Sequence, residues 1–273
     1  MRLAKEADRP AIEAFCANHP EKLMFPWSNL IRYGMGGEHL RSMTFWVNDG
    51  PVTDLFGISR EGMVMAYCPN MARAVKPLTA GRSVLGLLGV TESIAPIRAA
   101  LGLGPAGLDC SEPHFDLALS DLLIPPHDGL TLRSLQSTPR ETLVEWRAAF
   151  SVDALAMPGA DAAAKAQTDI DRYIADDSHR VLYDGDTPVA LTGFNATAPG
   201  IVQVGGVYTP PALRNRGFGR LAVALHLDEA RKAGTTHATL FAANAAAARA
   251  YRGIGFEEIG RFSIVIYEEA QDV

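Results

Sequence analysis

Ile124–Gly129, "IPPHDG", holds two prolines, an aspartate and a glycine, with little apolar content. Such a stretch cannot continue a helix or a central strand, so it reads as a linker. In this chain of 273 residues, the stretches on its two sides carry the same order of elements: helix, helix, strands, then strand–helix–strand. At roughly 150 residues per domain the length suits about two domains, and we expect them at 1–127 and 128–273. The fold class that follows is α/β (α+β).

The first half opens with Ile12, Phe15 and Cys16 at helical spacing, then a second helical stretch that Pro26 must break or kink. Strands follow in "SMTFWV", in "DLFGIS" and "GMVMAYC" around a turn at Arg60–Gly62, and in "SVLGLLGV". "TESIAPIRAALG" reads as a short helix capped by Thr91 and stopped by Gly102, and "HFDLALSDL" as a last strand. In the second half "TLRSLQ" is a strand. Thr138, Pro139 and Glu141 form a capping box for a helix over "TPRETLVEWRAAF". "GADAAAKAQTDIDRYIADD" is the next helix. Two strands meet at an Asp184–Gly185 turn, and "GIVQVGGVYTPP" is a third strand, stopped by Pro210 and Pro211. The shared order reads as a duplication whose first copy lacks an arginine-rich loop and the long helix after it. Two unrelated α/β units are the alternative.

That loop, "ALRNRGFGR" (212–220), places Arg214, Arg216 and Arg220 around Gly217 and Gly219, in a chain of formal net charge −6. No acid occurs between Asp186 and Asp228, so the local field is positive. The loop lies between a strand and the helix "FGRLAVALHLDEARKAG". The first amides of that helix lack intrahelical partners and carry partial positive charge. An anion such as a diphosphate fits there. Glycines let its oxygens approach the amides, and arginines add charge-assisted donors. A solvated basic turn is the plainer reading. No Walker loop is present. "GLGPAG" (102–107) matches a dinucleotide pattern but follows a helix instead of a strand, so it reads as a helix-ending loop.

"VYTPPALRNRGFGR" resembles the acyl-CoA-binding motif of the GNAT N-acetyltransferase superfamily, [Q/R]-x-x-G-x-[G/A], with Arg214, Gly217 and Gly219 in its places. "LFAANAAAARAYRGIGFEEIG" resembles that family's next motif: a strand, an Asn, an alanine-rich helix, a Tyr, and a Gly-Phe before the last strand. The resemblance covers about 131–273. With the shared element order, it implies a tandem GNAT protein whose N-terminal copy is degenerate. Each domain would be a mixed, mostly antiparallel twisted sheet flanked by helices.

The resemblance implies acetyl-CoA as co-substrate, no metal, and transfer of the acetyl group to a primary amine of a small molecule or peptide. Val207, Tyr208 and Thr209 would contact the pantetheine arm. Arg214, Asn215, Arg216, Gly217, Phe218, Gly219 and Arg220 would hold the diphosphate. Asn244 caps a helix and would also reach the arm, while Tyr251, two turns or about 10.5 Å further on, would protonate the departing thiolate. The strand before the loop offers Gln203 where many family members place a carboxylate, and His179 reads as exposed, so no base is assigned. A non-catalytic acyl-CoA sensor and a transferase of longer acyl groups remain as alternatives. The first half would wall the acceptor pocket or mediate a homodimer.

Three widely spaced cysteines suggest no disulfide framework and a reducing, cytoplasmic setting. The charged N-terminus lacks a signal peptide's apolar core, and no apolar run approaches the ~20 residues of a membrane helix. A negative chain does not suit general nucleic-acid binding. Seven scattered histidines show no metal-ligand spacing.

Overall fold

The structure, a computed structural model, describes residues 1–155 and 157–273. It divides into two compact units: Met1–His114 with Ile259–Val273, and Phe115–Glu258.

The first unit contains β1 (Arg2–Leu3), α1 (Arg9–Asn18), α2 (Pro20–Tyr33), β2 (Met43–Val47), β3 (Leu55–Ser59), β4 (Met63–Tyr67), β5 (Ser83–Val90) and α3 (Thr91–Leu101). It also holds the start of β6 (Leu108–Ala118). Ile12, Phe15 and Cys16 are the buried face of α1. Pro26 acts on α2 as expected, but the break is felt upstream. Proline has no N–H and its ring crowds the carbonyl four residues back, and the non-helical residue is Leu23 (φ −113°, ψ 15°). Gly102 ends α3 in the left-handed conformation (φ 71°), while Val90 and not Thr91 occupies its N-cap.

The second unit contains β7 (Leu130–Ser134), α4 (Arg140–Leu155), α5 (Gly159–Ala175), β8 (His179–Asp184), β9 (Thr187–Ala198), β10 (Ile201–Tyr208), α6 (Phe218–Lys232), β11 (His237–Phe241) and α7 (Ala245–Arg252). The last strand, β12 (Glu257–Asp272), starts there. The capping box expected at Thr138 does not capture that hydroxyl: it pairs with the Tyr183 hydroxyl at 2.7 Å.

Both sheets are mixed and mostly antiparallel. In the first unit the order is β1-β2-β3-β4-β5-β12-β6, and in the second β6-β11-β10-β9-β8-β7. Each contains a parallel pair, β4 with β5 and β10 with β11. The compact units are not the sequence halves. Phe115, Leu117, Leu119 and Leu122, all before the linker, are buried in the second unit's core with Val204, Val223, Leu227 and Leu240. Val265 and Tyr267, near the chain's end, are buried in the first unit's core with Phe56, Val64, Leu87 and Ile97. Burying such side chains is worth about 1.5–3 kcal/mol each, which fixes the strand to that unit. Cys16, Cys68 and Cys110 are free thiols. Among the described residues, no helix is long and apolar enough to cross a membrane.

Candidate active site

β10 and β11 pair over Ile201↔His237, Val202↔Ala238, Gln203↔Thr239 and Val204↔Leu240. There the ladder stops, four residues before β10 ends. On its other side β10 slips register against β9 twice, between Gln203 and Val204 and between Gly205 and Tyr208. Gly206 has φ +64°, a left-handed conformation that costs an L side chain roughly 1–2 kcal/mol. The glycines thus build a bulge, and a bulge bends its strand. Gly205–Tyr208 leave β11 with backbone groups facing the gap, where an extended amide-bearing ligand can add as a strand does.

Under the bulge lies His179, which proves buried, contrary to its expected exposure. Its ring stacks on Tyr173 at 3.5 Å and 14°, and its Nδ1 meets Ser178 Oγ at 2.9 Å. A Cβ on Gly193 would stand 2.0 Å from this ring, and one on Gly206 would stand 3.2 Å from Nε2. Nε2 has no hydrogen-bond partner among the described residues. Burial first, then His226 and the cations Arg147, Arg172 and Arg180, hold this imidazole neutral, well below the usual histidine range. His179 is therefore a neutral wedge, a poor acceptor for an ammonium proton. Gln203 is also buried, donating Nε2–H to the Val204 carbonyl at 2.6 Å.

After β10 the chain makes a short turn at Pro211–Leu213. Asn215 (φ 65°) and Gly217 (φ 82°) are both left-handed, and Gly217 is the N-cap of α6. A left-handed cap running into a helix start turns several amides toward one point, the geometry of an anion nest. Gly219 is needed there too, because a Cβ would meet Thr209 Oγ1 at 3.1 Å and Val207 Cγ1 at 3.6 Å. Phe218, buried, anchors the helix start.

The three arginines differ. Arg214 is already engaged: Nε–H donates to the Thr209 carbonyl at 3.0 Å, and Nη2–H to Asp153 at 3.1 Å. Arg216 is exposed with its guanidinium 4.7 Å from the Phe218 ring centroid. Arg220 spans Gly217 and Gly253. Its Nη2 is 3.6 Å and its Nη1 3.2 Å from the points where their Cβ atoms would stand. Arg220 Nε is buried with no hydrogen-bond partner among the described residues. An orphaned charged donor beside a nest of helix amides is the chemistry of a phosphate site.

Beyond β11, the Asn244 Oδ1 accepts from the amides of Ala246 (3.1 Å) and Ala247 (2.9 Å), capping α7 as expected. Tyr251, buried on α7, shares a hydrophobic cluster with Val202 and Val204 of β10 and Leu240 of β11. Its ring lies 6.1 Å from Phe256, edge to face. Tyr251 thus belongs to the same cluster as the pair that closes the ladder, while the loop residues 214–220 gather at the start of α6. Among the described residues, no group of three His, Cys, Asp or Glu side chains could hold a metal ion.

A sequence model of the Acetyltransferase (GNAT) family matches residues 142–256. This stretch is a GNAT domain. Solved structures carry the same fold over nearly the whole chain. A GCN5-related N-acetyltransferase from Sphaerobacter thermophilus is 14% identical, with a TM-score of 0.57 and 96% of this chain and 93% of that one covered. An acetyltransferase of the GNAT family from Colwellia psychrerythraea is 11% identical, at 0.52, with 98% and 99% covered. A Drosophila protein is 13% identical, at 0.61, with 97% of each chain covered. No curated protein matches the chain. The GNAT match takes in the bulged strand, the glycine–arginine loop, Asn244 and Tyr251, and ends at Phe256. The family supports acyl transfer as the chemistry. Two residues that shape the site had no signal of their own in the sequence. Asp153 meets Arg214 across the fold, and His179 is marked only by the distant glycines that make room for it.

Proposed function

We propose that this protein transfers an acetyl group from acetyl-CoA to a primary amine of a small molecule or a peptide. One observation carries the reading. The β10–β11 ladder ends at Val204, and the strand then leads through the Gly206 bulge into a nest bordered by the orphaned Arg220. Acetyl-CoA offers an extended amide arm, a diphosphate and a thioester, and these residues suit each part. When bound, it supplies an electrophilic thioester carbonyl.

The chain's own residues do the rest. Backbone groups of Val207, Tyr208 and Thr209 pair with the arm. An amide at the bulge, near Val207 or Tyr208, points a fixed dipole at the carbonyl oxygen. The amides of 217–220 with Arg216 and Arg220 hold the diphosphate. Asn244 spends its oxygen on the cap and keeps its N–H groups for the arm. Tyr251 holds the proton that the thiolate takes on leaving. Gln203 cannot accept a proton and His179 is held neutral, so neither is the base that takes the amine's proton. Alignment of amine and thioester supplies most of the rate. Three free thiols suit a reducing compartment, the cytoplasm.

The second reading is a non-catalytic acyl-CoA sensor, favoured by Gln203 standing where a carboxylate would serve as base. Thiol release from acetyl-CoA, measured over a panel of amines and amino-terminal peptides, tests the two. Amine-dependent release supports the transferase. Binding without release on any acceptor supports the sensor. Faster release from a longer acyl-CoA would reassign the donor.

A further inference from the structure

The first unit's parallel strands β4 and β5 correspond to β10 and β11, and α3 corresponds to α7. Aligned on those elements, the sequences match locally. Tyr67-Cys68-Pro69 and Arg73 fall on Tyr208-Thr209-Pro210 and Arg214. Arg98-Ala99, Gly102 and Gly104 fall on Arg249-Ala250, Gly253 and Gly255. The "GLG" of the spurious dinucleotide pattern is thus the partner of "GIG" at 253–255. The same alignment puts Ser93 on Asn244 and Ala100 on Tyr251.

The β4–β5 ladder also stops early, at Met65↔Leu88, leaving Ala66 and Tyr67 beyond it. Ala66 still lies against β5, since a Cβ on Gly89 would stand 2.8 Å from its carbonyl oxygen, so only Tyr67 and the residues after it run clear of β5, and their surroundings differ. The Cys68 amide, counterpart of the Thr209 amide, donates to Ser93 Oγ at 3.1 Å, with Ser93 fully buried. The next free amides, of Asn70 and Met71, both donate to Asp54 Oδ1 at 2.9 Å. Asp54 Oδ2 takes the Asn70 side chain at 3.1 Å and the Thr53 hydroxyl at 3.0 Å, and Asp54 is 1% exposed. Where the second unit has its glycine loop and α6, the first has two short 3-10 turns, at Ala72–Ala74 and Lys76–Leu78. Ala72 and Val75 are buried against Ile94, Ile97 and Leu101 of α3.

We propose that the first unit's counterpart of the coenzyme cleft is permanently filled by the protein itself: Ser93 takes the place of the arm, Asp54 takes up the loop amides, and residues 72–75 plug the gap. The chain then has one coenzyme site, in the second unit. A buried carboxylate accepting two backbone amides is costly to displace. An incoming dianion would have to expel a like charge, and no helix start is left to receive it.

The count of one site rests on the coenzyme reading of the second unit; the filled cleft does not. Hydrogen exchange on the full chain, resolved by residue, tests the filling. The amides of Cys68, Asn70 and Met71 should be protected without ligand. Ser93→Ala should speed Cys68 exchange by roughly tenfold or more, the loss of about one hydrogen bond, and Asp54→Asn should speed Asn70 and Met71. Saturating CoA should leave all three unchanged. Free exchange in the wild type, or slowing of these amides by CoA, overturns the proposal. Calorimetric titration of CoA should give one site per chain, abolished by Gly219→Val. A second site, or one that survives Gly219→Val, overturns it as well. Should CoA not bind at all, the reading of the second unit fails while the exchange data still decide the first.

Discussion

The imidazole of His179 sits against Gly206, with Nε2 3.2 Å from the point where a Cβ would stand. The same ring leaves even less room at Gly193, 2.0 Å. These contacts make the bulge and the histidine one structural unit. Gly193→Ala should therefore cost about 2–4 kcal/mol of stability, an overpacking penalty at the upper end. His179→Ala alone should also destabilise, by leaving a cavity. The double variant should be more stable than the sum of the two predicts, because the smaller residue at 179 accommodates the methyl at 193. A urea-denaturation double-mutant cycle reads this coupling directly.

Arg220 and Arg214 should separate in binding. Arg220 Nε is buried and unpartnered among the described residues, so Arg220→Met keeps the stem and removes an unsatisfied donor. Its apo stability should stay level or rise, while coenzyme affinity falls roughly 10- to 100-fold, the worth of one or two hydrogen bonds to a charged group. Arg214→Met breaks an exposed pair with Asp153 that is worth about 0–1 kcal/mol. Arg216→Glu should abolish coenzyme stabilisation with the apo fold intact. Thermal shifts with and without CoA compare all three.

Stability should fall as pH drops below about 6.5. Burial holds His226 down to about 3, and burial, with Lys22 adding, holds His114 at about 4. In the unfolded chain both titrate near the ordinary histidine value. Below it the unfolded state binds protons that the native state refuses, so protonation favours unfolding. Each such histidine should cost ~1.4 kcal/mol per pH unit until the pH reaches its native value, below which the loss levels off. His226→Leu should flatten the curve, read from unfolding free energies between pH 5 and 7.5.

Cutting the chain at the linker should fail. A fragment starting at 128 loses Phe115, Leu117, Leu119 and Leu122 from the second unit's core. At about 2–5 kcal/mol for each large side chain lost, the deficit is of the order of a domain's whole stability of about 5–15 kcal/mol. A fragment of 115–258 should show the sharper thermal transition by circular dichroism. Equal, cooperative melting of both fragments would contradict the assignment of these strands.

The elements and much of the site were legible because their signals are local. Gly217 and Gly219 before a long helix, Asn244 before an alanine-rich one, and Gly205-Gly206 inside a strand each state their geometry within a few residues. What could not be read depends on chain segments far apart. Phe115 and Val265 look like ordinary strand residues, and nothing nearby says which unit buries them. His179 reads as a polar strand start until Gly193 and Gly206 are seen to make room for it. Thr138 satisfies the pattern of a cap, yet its hydroxyl pairs with the Tyr183 hydroxyl instead. The repeated element order was legible, but the residues that match between the two copies line up only once β4 and α3 are set on β10 and α7.

The account stands most directly on where the coenzyme lies. A crystal structure of the full chain grown with CoA should show the diphosphate on the amides of 217–220, Arg220 turned onto it, and the arm running along Val207–Thr209 toward Tyr251. CoA density elsewhere, or a nest that stays closed by the protein's own side chains at saturating CoA, would contradict it.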